Sequence, residues 1–447
     1  MDVSSSREDH GREPREERAT AAARKAAARM SALPAHSTVS GNAYRQLWLM
    51  AAVAVLAMSV WFATAAVVPS LISAWGISPA DASWLTNSVQ VGFVAGAVLS
   101  AVVNLADRVR ISLLIAASAT VAGASTLLVP LFARGILVAL PLRFLTGFAL
   151  AGVYPPGAKL IASWFQTGRG LAMAVLIGAL ALGSGTPELA NGIGTLPWRG
   201  VLIVTAALAF VAALVALRLR EGPCLQRGAR FRPAYVLEMF ADRRQRRINF
   251  GYYGHMWELY AFWTWLPAYL SASLGAWHAG TDGRVTVGLV AFATIGVAGA
   301  AGSLIGGGAA RRLGSERVAM WAMVASGACA SISGLIFGAA PWLLVPLLGI
   351  WGMAAIADSA QFTAALSDAS DVRYVGTALT AQMATGFLIA IATIQLLPIA
   401  ADGIGWRWAL EVLALGPAGG ALAMRGLVRK SGDAVPVVVE IPRANDG

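Results

Sequence analysis

Long apolar runs separated by short polar joints dominate this chain. Twelve runs stand out, at 46–72, 84–104, 111–132, 136–162, 170–191 and 199–219, then 248–272, 285–309, 318–338, 342–366, 376–399 and 407–427. Each is long enough, at about 20 residues, to carry a helix across a hydrocarbon layer of about 30 Å. A backbone that crosses lipid must satisfy its own hydrogen bonds, so apolar runs of this length predict helices. The pattern therefore predicts an all-α membrane protein.

The runs fall into two groups of six that echo one another. Gly92-x3-Gly96 in the second run faces Gly296-x2-Gly299 in the eighth at an offset of 204. Leu145-x-Gly147 matches Leu347-x-Gly349 at 202, and Gly170 matches Gly376 at 206. A nearly constant offset in three places predicts a duplicated unit. The expected architecture is twelve transmembrane helices in two pseudo-symmetric six-helix bundles, 46–219 and 248–428. A basic linker, 220–247, joins them, and polar tails occupy 1–45 and 429–447. The first tail reads as disordered, with a short helix around Arg15–Met30.

Composition and charge sharpen this picture. Of 447 residues, 57% are hydrophobic and only 13% charged. A soluble core of this size could not hide so much apolar surface. The net charge of +11 would suggest nucleic acid, but its placement argues against that. With both tails assigned to one side, only Arg134, Arg199, Arg284 and Arg407 fall on the other, and Arg143 and Lys159 lie within the fourth run. This is the positive-inside bias, and it predicts both termini in the cytoplasm of a bacterial inner membrane. The basic face then meets anionic lipid, and no nucleic-acid partner is expected. Cys224 and Cys329 are not placed for a disulfide, and His10, His36, His255 and His278 show no metal-ligand spacing. No cofactor motif is read. The glycine-rich stretch 302–308 lacks the Gly-Lys-Ser/Thr of a phosphate loop.

The loop after the second run, Asn104-Leu-Ala-Asp-Arg-Val-Arg110, and the loop after the eighth, Gly308-Ala-Ala-Arg-Arg-Leu-Gly314, carry a repeated motif. With the two six-run halves and the basic linker, they resemble the major facilitator superfamily over roughly residues 46–428. Asp107 and Arg108 match that family's loop motif, and Gly307, Arg312 and Gly314 match it in the second half, where Arg311 replaces the acid. Arg143-x3-Gly147 is similar to the family's signature in the fourth span. The stretch Gly152-Val-Tyr-Pro-Pro-Gly-Ala-Lys159, with Trp164-Phe and Arg169-Gly170, resembles bacterial members grouped with nitrate/nitrite-porter-like proteins. Those porters hold their anion with an arginine in spans two and eight. Neither run has one here, so nitrate is not carried over. The resemblance implies a monomeric secondary transporter for a small solute, with Asp107, Arg108, Arg311 and Arg312 at a cytoplasmic gate. The same fold also serves drug and metabolite exporters.

Ionisable groups inside lipid are costly and invite functional readings. Arg143 reads either as an anion contact or as a structural hydrogen-bonder, and Tyr154, eleven residues on, returns to nearly the same helix face. His255 and Glu258 are three apart on the seventh run and share a face, as a proton site or as a polar knot between helices. Asp358, with Gln361 one turn on and Gln382 in the eleventh run, is a candidate coupling acid; its alternative is a pair with a basic or backbone group. Glu188, near the outer end of the fifth run, reads as interfacial. Pro155-Pro156 removes two backbone donors and should break the fourth helix. An enzyme would need a nucleophile–base pair or metal cluster, and a sensor would need an output domain; neither pattern is found. Proton-coupled transport is the resulting expectation.

Overall fold

The computed structural model describes residues 41–165, 168–193, 196–225, 232–277, 284–371 and 373–432. The helix expected around Arg15–Met30, most of both tails and part of the linker lie outside these residues. Among the described residues the chain is helical, with no strand. Nine helices among them are long and apolar enough to cross a membrane by length and composition.

The principal helices of the first group are α1 (Gly41–Met58), α2 (Val68–Trp75), α3 (Pro79–Val102), α4 (Ile111–Phe132), α5 (Ile136–Leu150), α6 (Tyr154–Trp164), α7 (Arg169–Gly192) and α8 (Trp198–Ala216). The second group contains α9 (Arg243–Trp277), α10 (Arg284–Phe292), α11 (Gly299–Leu313), α12 (Ser315–Ile336), α13 (Pro341–Ala357), α14 (Ser359–Ala369), α15 (Val375–Ile404) and α16 (Leu415–Gly432). A π-helical turn, Ala293–Ala298, joins α10 to α11.

Local chemistry explains several ends. Ser78 caps α3 through a capping box: its Oγ accepts from Asp81 N at 3.1 Å, and its N–H donates to Asp81 Oδ2 at 3.2 Å. Two residues earlier, Gly76 closes α2 at φ +64°, and its N–H donates to Ile72 O. The fourth run breaks at 151–153, just before the Pro155-Pro156 pair, giving α5 and α6. The tenth run breaks at Asp358, between α13 and α14, where sequence had suggested a continuous helix. The first run also differs from expectation. It leaves the helix after Met58, passes through turns at 59–64, and resumes through Ala65–Val67 into α2. The seventh helix reaches back into the expected linker and begins at Arg243.

Glycines set the closest helix pairs. A β-carbon at Gly147 would overlap Val89 O, and one at Gly92 would overlap Phe144 O, so α3 and α5 touch backbone to backbone. In the second group the same role falls to Gly302 against Met353 O, Gly306 against Ala357 O and Gly352 against Thr294 O. The sequence pairing of Gly92 and Gly96 with Gly296 and Gly299 is thus displaced toward Gly302 and Gly306. The wide π turn at 293–298 lies within this second crossing and includes Thr294, whose carbonyl meets Gly352. Gly147→Val is expected to cost more than the about 1–3 kcal/mol of ordinary overpacking, because the obstructing atom is backbone. Folded yield and melting temperature in detergent report it.

Candidate functional site

The two groups of helices meet on two sides. Along one, α7 packs against α10 and α11, with Gly185 beside Gly296 and Gly192 beside Gly288, and Ser303 Oγ donates to Ala174 O at 2.8 Å. Along the other, α3 packs against α15, where Asn87 Nδ2 donates to Ile391 O at 3.4 Å.

Between these contacts, near the middle of the spans, buried rings close the centre. Trp61 lies 4.9 Å from Phe93 and 5.7 Å from Phe387, and Tyr260 lies 4.9 Å from Phe387. Phe62 and Trp263 extend the cluster, with ring centroids 5.6 Å apart. Trp61, Phe62 and Phe93 come from the first group, and Tyr260, Trp263 and Phe387 from the second. The rings thus pack across the junction. Buried polar atoms without a hydrogen-bond partner among the described residues gather on the same elements: Trp61 Nε1, Thr86 Oγ1, both side-chain polar atoms of Gln90, and Trp263 Nε1. Such groups are costly to leave unmade and mark a surface fitted to something else.

One to two turns toward the linker, α9 presents the charged residues. His255 Nδ1 lies 2.8 Å from Asp358 Oδ1, an ion-pair distance without hydrogen-bond alignment. Ser359 Oγ lies 3.1 Å from His255 Nε2. Asp358 can reach His255 because it sits at the break between α13 and α14. Glu258 does not pair with His255. Its Oε1 accepts from Trp351 Nε1 at 2.7 Å and its Oε2 from Ser326 Oγ at 2.9 Å, tying α9 to α13 and α12. All three ionisable side chains are buried. Gln361 and Gln382 are buried too, and Gln382 Nε2 has no partner among the described residues. Tyr154, half-buried at the start of α6, is within electrostatic reach of Tyr252 and Tyr260 across the junction.

Arg143 stands apart from this cluster. It is wholly buried, and its Nη2 donates to Val60 O at 2.8 Å and Trp61 O at 2.6 Å. Its Nη1 donates to Thr126 Oγ1 at 3.4 Å. The guanidinium therefore serves carbonyls that the interrupted first span leaves open.

At the basic end, Asp107 pairs with Lys159, so this contact lies within the first group. Arg108, Arg311 and Arg312 are exposed. Above the Asp107–Lys159 pair, a cleft of about 160 Å³ opens between α3, α6 and α15, lined by Ser100, Pro156, Thr380 and Met383 among others. Lys159→Ala is expected to change stability by less than about 1 kcal/mol, as for a partly exposed pair; thermal melting in detergent checks it.

Several residues here escaped the sequence reading. Glu188 is 1% exposed and its Oε2 has no partner among the described residues, whereas sequence placed it at the interface. It comes next to Pro187 within α7, a helix that continues four residues further and faces α10, which covers it. Trp61, Phe93, Gln90 and Phe387 were also missed. The amide of Gln90 in mid-span was the one available signal.

A sequence model described as the Major Facilitator Superfamily matches residues 49–394. Among solved structures, a variant of the nucleoside transporter NupG superposes with a TM-score of 0.65 at 14% identity, covering 86% of this chain and 99% of that one. No curated protein matches the sequence.

Proposed function

The chain belongs to the Major Facilitator Superfamily, and from that premise we propose that it is a proton-coupled secondary transporter moving a small organic solute by alternating access. The observation that carries this reading is the buried set His255, Asp358 and Glu258 beside the aromatic junction. An imidazole touching a carboxylate inside lipid can hand a proton between two sites as the surrounding helices move. The rings at the junction would separate to admit the solute, and the cleft beside α15 is the route toward the basic side.

In this proposal twelve helices cross the membrane as bundles 46–219 and 248–428, joined by the linker 220–247. The first, seventh and last crossings are the three not apolar enough, or too interrupted, to join the nine. Both termini lie in the cytoplasm of a bacterial inner membrane, and the transporter works as a monomer. The stretch Gly152–Lys159 with Trp164 and Arg169 supports placement beside nitrate/nitrite-porter-like members, without their anion. Stacking faces and unpaired amide and indole groups suit a neutral, flat solute with hydrogen-bonding edges. Nucleosides have that chemistry, and a nucleoside transporter shares the fold.

Purified protein in proteoliposomes is expected to accumulate labelled nucleoside when a pH gradient is imposed, and to stop when an ionophore collapses it. Uptake unchanged by the gradient would refute the coupling. Absence of any nucleoside flux, with flux of another solute, would remove the solute class alone.

A further inference from the structure

A cavity lies away from the junction, at the basic end of the first group. It measures about 550 Å³ and is lined by Arg45, Arg110, Arg218 and Arg220, with Glu221 as the one acid. The arginines arrive from three places: the start of α1, the residue before α4, and the strap that follows α8. The strap is pinned. Arg220 N donates to Gln46 Oε1 at 2.8 Å, Trp164 Nε1 donates to Arg220 O at 2.8 Å, and Gly222 N donates to Ser163 Oγ at 2.8 Å. Glu221 is already engaged, since its Oε1 accepts from Ile111 N at 3.0 Å at the start of α4. Four exposed arginines thus line one hollow with a single carboxylate, a charge arrangement that suits a multiply hydrogen-bonding anion.

The surface below the arginines says which anion. Trp48, one turn from Arg45 on α1, is 64% exposed, and Leu214, one turn from Arg218 on α8, is 67% exposed. Leu217 lines the cavity itself and is 55% exposed. Exposed apolar side chains therefore follow the arginines by one turn on two neighbouring helices. We infer that this pocket binds the phosphate headgroup of an anionic phospholipid, whose acyl chains lie along the Trp48–Leu214 face. Because the strap is the start of the connection between the two groups of helices, an occupied pocket also fastens that connection to α1 and α6.

The test uses the full chain in a zwitterionic detergent. Phosphatidylglycerol is titrated by native mass spectrometry and by melting temperature, against phosphatidylcholine and against inorganic phosphate. Phosphatidylglycerol is expected to bind and raise the melting temperature, with neither comparison ligand doing so. Arg110→Gln/Arg220→Gln is expected to weaken phosphatidylglycerol roughly thirtyfold, from two lost surface charges. Arg243→Gln/Arg425→Gln, exposed elsewhere, should leave it within about twofold. Equal loss in both variants would mean general surface charge and overturn the site. Inorganic phosphate binding as tightly as the lipid would overturn the lipid assignment. If the pocket variant fails to fold, Trp48→Gln/Leu214→Gln serves instead: lipid affinity unchanged in that variant would overturn the inference.

Discussion

Asp358→Asn is expected to abolish solute accumulation driven by a pH gradient while solute exchange without a gradient persists. The amide keeps the shape of the carboxyl and can still meet His255, but it cannot carry a proton. Asp358 is buried, sits at the break between α13 and α14, and touches the imidazole of α9. In the proposed mechanism a proton there is coupled to the relative position of two helices. Gradient-driven uptake in proteoliposomes should fall at least about tenfold, as for a lost intramembrane relay. Glu258→Gln is the informative companion. Its oxygen can still accept from Trp351 Nε1, and Ser326 can turn to accept from the new amide. If Glu258 only knots α9 to α12 and α13, that variant transports normally with an unchanged pH profile. If both carboxyls relay protons, both variants lose accumulation and keep exchange. Accumulation at wild-type level in Asp358→Asn would defeat the coupling proposal.

Arg143→Ala is expected to cost stability rather than solute affinity. The side chain is the donor for Val60 O and Trp61 O, in a stretch where the helix ladder is interrupted. In lipid those carbonyls have no water to turn to. Leaving them open, with a cavity where the guanidinium was, should destabilise the fold by about 3 kcal/mol or more. Arg143→Lys should recover part of this, because an ammonium can serve one carbonyl but lacks the planar fork that serves two. Thermal unfolding in detergent separates the readings. A large fall in melting temperature supports the anchoring role. An unchanged melting temperature with lost transport would instead make Arg143 a solute contact.

Much of the fold was legible because lipid leaves the chain few options. Apolar run lengths marked the nine helices long and apolar enough to cross a membrane, and Pro155-Pro156 marked the break between α5 and α6. The break in the first span was not legible. Residues 59–64, Ser-Val-Trp-Phe-Ala-Thr, hold neither proline nor glycine, and a side chain from α5 satisfies the exposed carbonyls. Local patterning cannot report a break sustained from 82 residues away. The site divides in the same way. His255 and Glu258 were visible as a spaced pair, and that spacing suggested that they bond each other. The structure gives His255 to Asp358 and Glu258 to Trp351 and Ser326, partners 68 to 103 positions distant. Helix periodicity names a face and is silent about what packs on it. Glu188 illustrates the same limit, since its burial depends on α10, which no reading of α7 alone could supply.

The contact of α7 with α10 and α11 has a mechanical consequence. From Gly178 beside Ala300, through Gly185 beside Gly296, to Gly192 beside Gly288, small residues bring the two backbones close, and the ring of Phe292 packs on Gly185 and Gly296. Meshed large residues act as gear teeth and fix one position. Smooth backbone against smooth backbone works as a bearing, across which the two sides can roll with little to disengage. In the proposed alternating access, the large side chains of the aromatic centre are where such motion would be held or released.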